Sequence, residues 1–430
     1  MKEGKIGKVF QIKDKKILFT IFFYGLCSLV FHLFFMEMGT GDDPYYTTIL
    51  KEITMGEFMH KRWTKWSSRL LIEFVCAILV PLPTWIWIGL DVLASMLIAY
   101  VLFGMMFYKK ADTRAVVFAG ILLFLYDFRD MNTAGWITTT IFYWWAFAAS
   151  LVAFVPIYMD YKGEKIKPWI YVFAILCSIY AANLELVTII FVCVSIYMLA
   201  VYRFENRKAP KYLYYLFVLG LIWVVIVSVC PGNAVRKVAN IEFWFPNYAT
   251  FNLIQRGLLG WYGLLRSLFE DINWMFFGFS AVLMWAVFVK KTKWYNKLIA
   301  AIPFISNLAL GVCIIIAKFY DAGPVNKVVH AFDFDQPIVY YQGALPWKLR
   351  ILMIAYTFAC FSVMYSMYIL WGNTKKFSHL MAVLVIGTIT KVCLGMSSTV
   401  WASAERTALF LMFAFVIIGT YCGKEILEKK

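Results

Sequence analysis

The stretch Trp66-Ser67-Ser68-Arg69-Leu70-Leu71-Ile72-Glu73-Phe74-Val75-Cys76-Ala77-Ile78-Leu79-Val80-Pro81-Leu82-Pro83 decides the topology of the chain. It is apolar enough to pass for a membrane crossing, yet it carries Arg69 and Glu73 and ends in Pro81-Leu82-Pro83. The apolar runs that do fit crossings, each near the roughly 20 residues a spanning helix needs, are 17–36, 84–108, 114–127, 137–159, 168–183, 186–202, 212–230, 272–290, 298–317, 350–371, 377–395 and 405–422. With these, the basic connections Lys109 to Arg114, Lys162 to Lys167, Arg203 to Lys211, Lys290 to Lys297, Lys375-Lys376 and Lys424 to Lys430 fall on one side, that of the basic N-terminus. The positive-inside rule makes that side cytoplasmic. One extra crossing at 67–80 would move all the later basic loops outside. This segment therefore reads as a helix lying on or dipping into the outer surface, with Arg69 and Glu73, four residues apart, on one face.

Composition agrees. Of 430 residues, 62% are hydrophobic and only 15% charged, and the mean hydropathy is +0.73. A soluble surface needs far more charge. The expected fold is an all-α polytopic integral membrane protein of about twelve transmembrane helices, with an amphipathic outer-surface helix after the first span. It forms one transmembrane domain over residues 1–430. The 41 Lys and Arg against 25 acids sit in short clusters between apolar runs and form no basic stripe with interleaved aromatics, so no nucleic-acid partner is expected. The nine cysteines lie in or beside apolar segments without paired spacing, as buried small hydrophobes do. The N-terminal basic region ahead of the long run 17–36 reads as a retained anchor.

Outside the spans lie 37–83, 127–136, 183–185, 231–271, 318–349 and 396–404. The loops 231–271 and 318–349 exceed the length of simple connections, roughly 12–15 residues, and with 37–83 they read as a structured outer cap. Phe243-Trp244-Phe245-Pro246, Trp261-Tyr262 and Trp347 give them interfacial aromatics.

Several motifs fall on this outer side. In Gly41-Asp42-Asp43-Pro44-Tyr45-Tyr46, adjacent carboxylates repel, which raises one pKa toward that of a general base; an ordinary Asx turn is the plainer account. Asn183-Leu184-Glu185 interrupts an apolar run, and a carboxylate there is either functional or a polar hairpin turn. Pro231-Gly232-Asn233 ends a span and leaves Arg236 at the surface, placed to grip a phosphate or to reach lipid headgroups. Arg69, Arg129, Lys318, Lys391 and the pair Glu405-Arg406 complete an unusual outward set of cations, although Arg69–Glu73 and Glu405–Arg406 ion pairs would account for some of it. No Walker loop, dinucleotide fingerprint, Ser-His-Asp arrangement or metal-ligand spacing occurs in the sequence.

Taken in order, Gly41-Asp42-Asp43, Trp66-Ser67-Ser68-Arg69, Asn132 to Trp136 before Tyr143-Trp144, Asn183-Leu184-Glu185, Pro231-Gly232-Asn233 with Arg236, and Glu405-Arg406 resemble a bacterial multi-pass family related to the serotype-converting glucosyltransferases. More broadly they resemble the GT-C glycosyltransferases, which use polyprenyl-phosphate sugars. That resemblance implies that Asp42 or Asp43 deprotonates an acceptor hydroxyl, and that a sugar passes with inversion from a polyprenyl-phosphate donor to a cell-envelope glycan or lipid-linked acceptor. It implies Arg69, Arg236 and Arg406 for the donor phosphate, and Asn183, Glu185, Asn233 and Trp136 for sugar and acceptor. No cofactor is expected, and the paired carboxylates leave a divalent metal open. Membrane lipids are the remaining partners, and the active site is expected on the extracytoplasmic face. A transporter or flippase for lipid-linked sugars, and a polymerase or ligase of lipid-linked glycans, are the competing functions.

Overall fold

The computed structural model describes residues 14–34, 39–107, 112–269, 272–320, 347–403 and 405–428. The basic run up to Lys13, the Lys109-Lys110 pair and most of the expected 318–349 loop lie outside them.

Every element among the described residues is helical. Among the described residues nine helices are long and apolar enough to cross a membrane: Lys15–Phe34, Thr84–Met106, Trp136–Tyr161, Glu185–Phe204, Lys211–Val229, Trp294–Phe319, Arg350–Trp371, Lys375–Met396 and Glu405–Glu428. The chain is a multi-pass membrane protein. The other three expected spans are helical but shorter, as Thr113–Phe124, Pro168–Ala182 and Trp274–Val289, of 12, 15 and 16 residues. At 1.5 Å per residue these reach only about 18–24 Å, against a hydrocarbon core of about 30 Å. Trp274–Val289 meets Leu253–Phe269 at 80°, and the two would make a tenth crossing as one broken span.

The decisive stretch forms the helix Leu70–Leu79, of 10 residues, far too short to cross alone. Its inner face carries Ile72, Glu73, Cys76 and Ala77. Ahead of it, Asp43–Glu52 and Met55–Lys65 are helices as well. Thr54 and Glu57 close a capping box at the start of Met55–Lys65, which satisfies two otherwise orphaned end groups.

The chain packs as two compact units, residues 1–116 with 128–239, and 117–127 with 240–430. In the first unit Trp136–Tyr161 is the central helix, buried along most of its length. Alanines 146, 148, 149 and 153 let its neighbours approach closely. Its turn Thr140–Trp145 is π-helical, and one neighbouring helix holds that turn. Trp87, Asp91 and Ser95 recur every four residues and so share a face of Thr84–Met106. Trp87 Nε1 donates to Thr140 Oγ1 (2.9 Å), Trp145 Nε1 to Asp91 Oδ1 (2.7 Å) and Trp144 Nε1 to Ser95 Oγ (3.0 Å). From Lys15–Phe34, His32 Nε2 reaches Asp91 Oδ2 at 3.0 Å, both side chains being fully buried. A polar ladder of this kind persists in an apolar bundle because each member is partnered.

In the second unit Glu405–Glu428 is the buried central helix. Phe279 and Phe415 stack at 4.6 Å, and Phe245, Tyr248, Phe251, Leu259 and Val400 form a satellite core. Lys290 Nζ donates to the carbonyls of Ile369 and Leu370, closing the C-terminal end of the Trp347–Trp371 helix.

Candidate functional site

Five of the residues singled out in the sequence come together in the first unit, carried by three separate segments. Arg69 stands at the N-terminal end of Leu70–Leu79. Asn183 and Glu185 form the turn into Glu185–Phe204, and Asn233 and Arg236 lie on the first turns of Pro231–Trp244. Pro231 both follows the end of Lys211–Val229 and opens this next helix, a position where its missing N–H costs nothing. Gly232 is required by close approach: a Cβ there would lie 2.7 Å from the Trp63 carbonyl oxygen.

Glu185 is the hub. Arg69 Nε and Nη2 donate to its Oε2 at 2.7 and 2.6 Å, and Arg236 Nη2 lies 3.5 Å from its Oε1. The carboxylate sits in the first turn of its helix, where the macrodipole favours a negative charge. Asn233 ties its own helix to the segment ahead of Leu70–Leu79: its Oδ1 accepts from Ser68 N and Arg236 Nη2, both at 3.3 Å, and its Nδ2 donates to Ser68 Oγ at 2.9 Å. Asn183 Oδ1 accepts the Leu71 amide at 3.0 Å, one of the orphan donors of the Leu70–Leu79 helix. Both asparagines thus spend their amides on holding backbone and Arg236, whereas contact with a sugar was expected of them. Phe142, on the π-helical turn, lies under the Arg69 guanidinium at 5.5 Å.

The expected Arg69–Glu73 pair does not form. Glu73 turns inward to Arg62, with Nη2 to Oε1 at 2.7 Å, and accepts the Tyr46 hydroxyl. Arg62 is the principal residue the sequence reading missed; the Thr54-x-x-Glu57 capping box, which announces its helix, was the available signal. Burial alone would lower the Arg62 pKa, but the Glu73 charge reverses this and holds it above the usual value.

The charges do not balance. Arg62 and Glu73 cancel, whereas Arg69 and Arg236 share Glu185. Burial would lower the Arg69 pKa, yet the Glu185 carboxylate holds it above its ordinary value. Arg236 is held below its ordinary value, by burial and then by the Arg69 charge, with Glu185 compensating only in part. Arg69 and Glu185 are 19% and 23% exposed and Arg236 21%, so the surplus positive charge is open to an anion.

The acidic pair divides by environment. Asp42 is exposed, and its backbone N–H donates to the Ala134 carbonyl at 3.1 Å. Asp43 is buried and accepts from Thr138 N (2.9 Å), Thr138 Oγ1 (2.7 Å) and Ile137 N (3.4 Å). It therefore caps the Trp136–Tyr161 helix from outside that helix. Burial, rather than repulsion between the two acids, raises its pKa, against the lowering effect of the Thr138 and Ile137 bonds. Gly135, at φ +88°, makes this docking possible, since a Cβ would sit 2.7 Å from the Asp43 carboxylate. Cys76 lies within electrostatic reach of Glu73, Asp43, Arg62 and Asp42, which puts the acidic pair and the Arg62–Glu73 pair in one neighbourhood.

Trp136 is buried, with Phe31 at 5.5 Å and Phe128 stacked at 6.1 Å, so its ring packs the core and offers no open face to a sugar. Arg406 belongs to the second unit. Its neighbour Glu405 pairs with Lys391 at 3.8 Å. Among the described residues no group of three or more His, Cys, Asp or Glu side chains could hold a metal ion. The chain matches no protein-family model, no curated protein and no solved structure.

Proposed function

We propose that the protein is a membrane glycosyltransferase that moves a sugar, with inversion, from a polyprenyl-phosphate donor to a cell-envelope glycan or lipid-linked acceptor on the extracytoplasmic face. The observation that carries this reading is the pair of arginines sharing one carboxylate, Arg69 and Arg236 on Glu185. Two planar guanidiniums with one negative charge between them suit a phosphate, which accepts bidentate hydrogen bonds. In this reading Asp42, the exposed member of the acidic pair, takes the proton from the acceptor hydroxyl. The freed oxygen bonds to the anomeric carbon as the bond from that carbon to the phosphate oxygen breaks. The carrier leaves as its phosphate, and Arg69 and Arg236 stabilise the charge that develops on it. Asp43 holds the helix terminus beside Asp42, and Glu185 orients the cations. In this reading both termini are cytoplasmic, the side on which the basic connections fall when all twelve apolar runs cross.

The test is sugar transfer by the purified protein from polyprenyl-phosphate sugars. Asp42→Asn is expected to depress kcat by about 100-fold or more, and Arg236→Met to raise KM for the donor at least tenfold. Full activity in Asp42→Asn would remove the base from the mechanism.

One observation favours the transporter reading: His32 and Asp91 pair inside the spanning helices, and ionisable groups there often mark a pathway. Their bonds to each other, to Trp145 and to the Ser28 carbonyl satisfy them without a ligand, which leaves the glycosyltransferase reading ahead. Movement of lipid-linked sugar across vesicles without transfer would reverse that order.

A further inference from the structure

The second unit contains a polar cluster that the site above does not use. The helix Leu253–Phe269 presents Tyr262, Arg266 and Ser267. Near them stand Trp401, which precedes the central helix, Glu405 at the start of that helix, and Lys391 from the end of Lys375–Val392. Ser267 Oγ donates to Glu405 Oε1 at 3.0 Å. Lys391 is buried, donates to Thr407 Oγ1 at 3.1 Å and stays 3.8 Å from Glu405 Oε2, an ion pair beyond hydrogen-bond length. Trp401 meets Tyr262 edge to face at 5.6 Å, and the Arg266 guanidinium lies 5.2 Å from its ring.

Buried atoms of this cluster without a hydrogen-bond partner among the described residues include the Trp401 indole N–H and Glu405 Oε2. One is a donor and the other an acceptor. Native structures leave few such groups, and those that remain ask for an explanation. The Glu405 side chain is 38% exposed.

We infer that this cluster is a binding site for a neutral sugar residue, with Glu405 accepting from its hydroxyls, Trp401 Nε1 donating to one, and the aromatic walls of Trp401 and Tyr262 against its C–H face. A sugar hydroxyl both donates and accepts, which matches a cluster that holds both an unmet donor and an unmet acceptor. Ligand sites of this composition, a few convergent polar groups on an aromatic wall, recur widely. The inference rests on the cluster's own geometry and is independent of whether the protein transfers sugars.

The experiment is saturation-transfer NMR on the full-length protein in detergent. The probe is the neutral oligosaccharides released by mild acid from the envelope of the cells that make the protein, with no lipid-linked donor present. Saturable binding is expected for the wild type, weakened at least tenfold in Glu405→Gln and in Trp401→Phe, each first shown to unfold at the wild-type temperature. Glu405→Gln is isosteric and decides the matter if Trp401→Phe fails to fold. Absence of saturable binding to the wild type, or wild-type affinity in Glu405→Gln, overturns the inference. Because no donor is present, failure here leaves the transfer reading standing, and loss of transfer leaves this site standing.

Discussion

Replacing Glu185 with glutamine removes the carboxylate that Arg69 and Arg236 share while keeping the shape of the side chain. Arg69 loses two charge-assisted contacts, at 2.7 and 2.6 Å, and Arg236 loses its nearest counter-charge, at 3.5 Å. Removing one partner of a fully buried pair costs about 3–5 kcal/mol. All three side chains are about one-fifth exposed, and the glutamine oxygen still accepts one bond, so screening brings the expected loss to about 2–3 kcal/mol. For a unit of this size each kcal/mol moves Tm by about 2–4 °C, giving a fall of roughly 4–12 °C in a detergent melt. The second half of the prediction is the sharper one. The variant leaves two guanidiniums facing each other, so a phosphate becomes a better partner than before. At about 100 times its Kd a ligand adds about 2.7 kcal/mol. Polyprenyl phosphate should therefore raise the Tm of Glu185→Gln by at least as much as it raises that of the wild type. An unchanged Tm in the ligand-free variant would mean that the ion pair holds nothing together. A smaller gain with polyprenyl phosphate than in the wild type would mean that the arginines do not form an anion site.

Gly135→Ala forces a side chain onto φ +88° with its Cβ 2.7 Å from the Asp43 carboxylate, and should destabilise the protein by about 1–3 kcal/mol, read as a lower Tm at constant detergent. Burial raises the Asp43 pKa, so the folded state binds that proton more tightly than the unfolded state does. Its stabilising contribution is full below the ordinary carboxylate value of about 3.9 and is lost as pH rises through the folded value. The stability difference between wild type and Asp43→Asn should therefore change with pH across that window and level off above it; a difference independent of pH refutes the shift. Asp91→Leu strands the Trp145 N–H and one nitrogen of His32, costing about 1–3 kcal/mol per orphaned group. In the double variant His32→Leu/Asp91→Leu part of that loss should return, since apolar replacement of both partners of a buried pair is often close to neutral. Chemical unfolding of the two single variants and the double variant closes this cycle, and simple additivity would show that the pair is not coupled.

The helical, membrane-spanning character of the chain was legible because apolar runs near 20 residues leave little choice. The count was less so: Thr113–Phe124 and Pro168–Ala182 are apolar over most of their expected runs, yet they stop short. The site was legible as an order of short motifs, and Arg69, Asn183, Glu185, Asn233 and Arg236 do converge. Their partners were not. Spacing along a helix proposes Arg69 with Glu73, four residues apart, because it sees only local neighbours. The fold exchanges both partners, giving Glu73 to Arg62 and Arg69 to Glu185, through a contact 116 residues away in sequence. The burial of Asp43 was hidden for a related reason, since it depends on the amides of Ile137 and Thr138.

Adjacent acids invite the question of which one is the base, and the geometry turns that into a difference of kind. Asp43 fixes the start of Trp136–Tyr161, and one turn further on the π-helical segment sets Phe142 beneath Arg69. The Asp42 backbone N–H donates to the Ala134 carbonyl, and the residue is exposed. A change at Asp43 should therefore act by displacement. Asp43→Asn keeps an acceptor for Thr138, so transfer activity should fall by a modest factor, about tenfold or less, with KM for the donor rising as the wall under Arg69 shifts. Asp42→Asn removes the proton acceptor itself and should depress kcat by about 100-fold or more while leaving donor KM near its wild-type value. The reverse pattern, a collapse of kcat in Asp43→Asn with Asp42→Asn nearly unaffected, would make the buried carboxylate the base and the helix cap its holder.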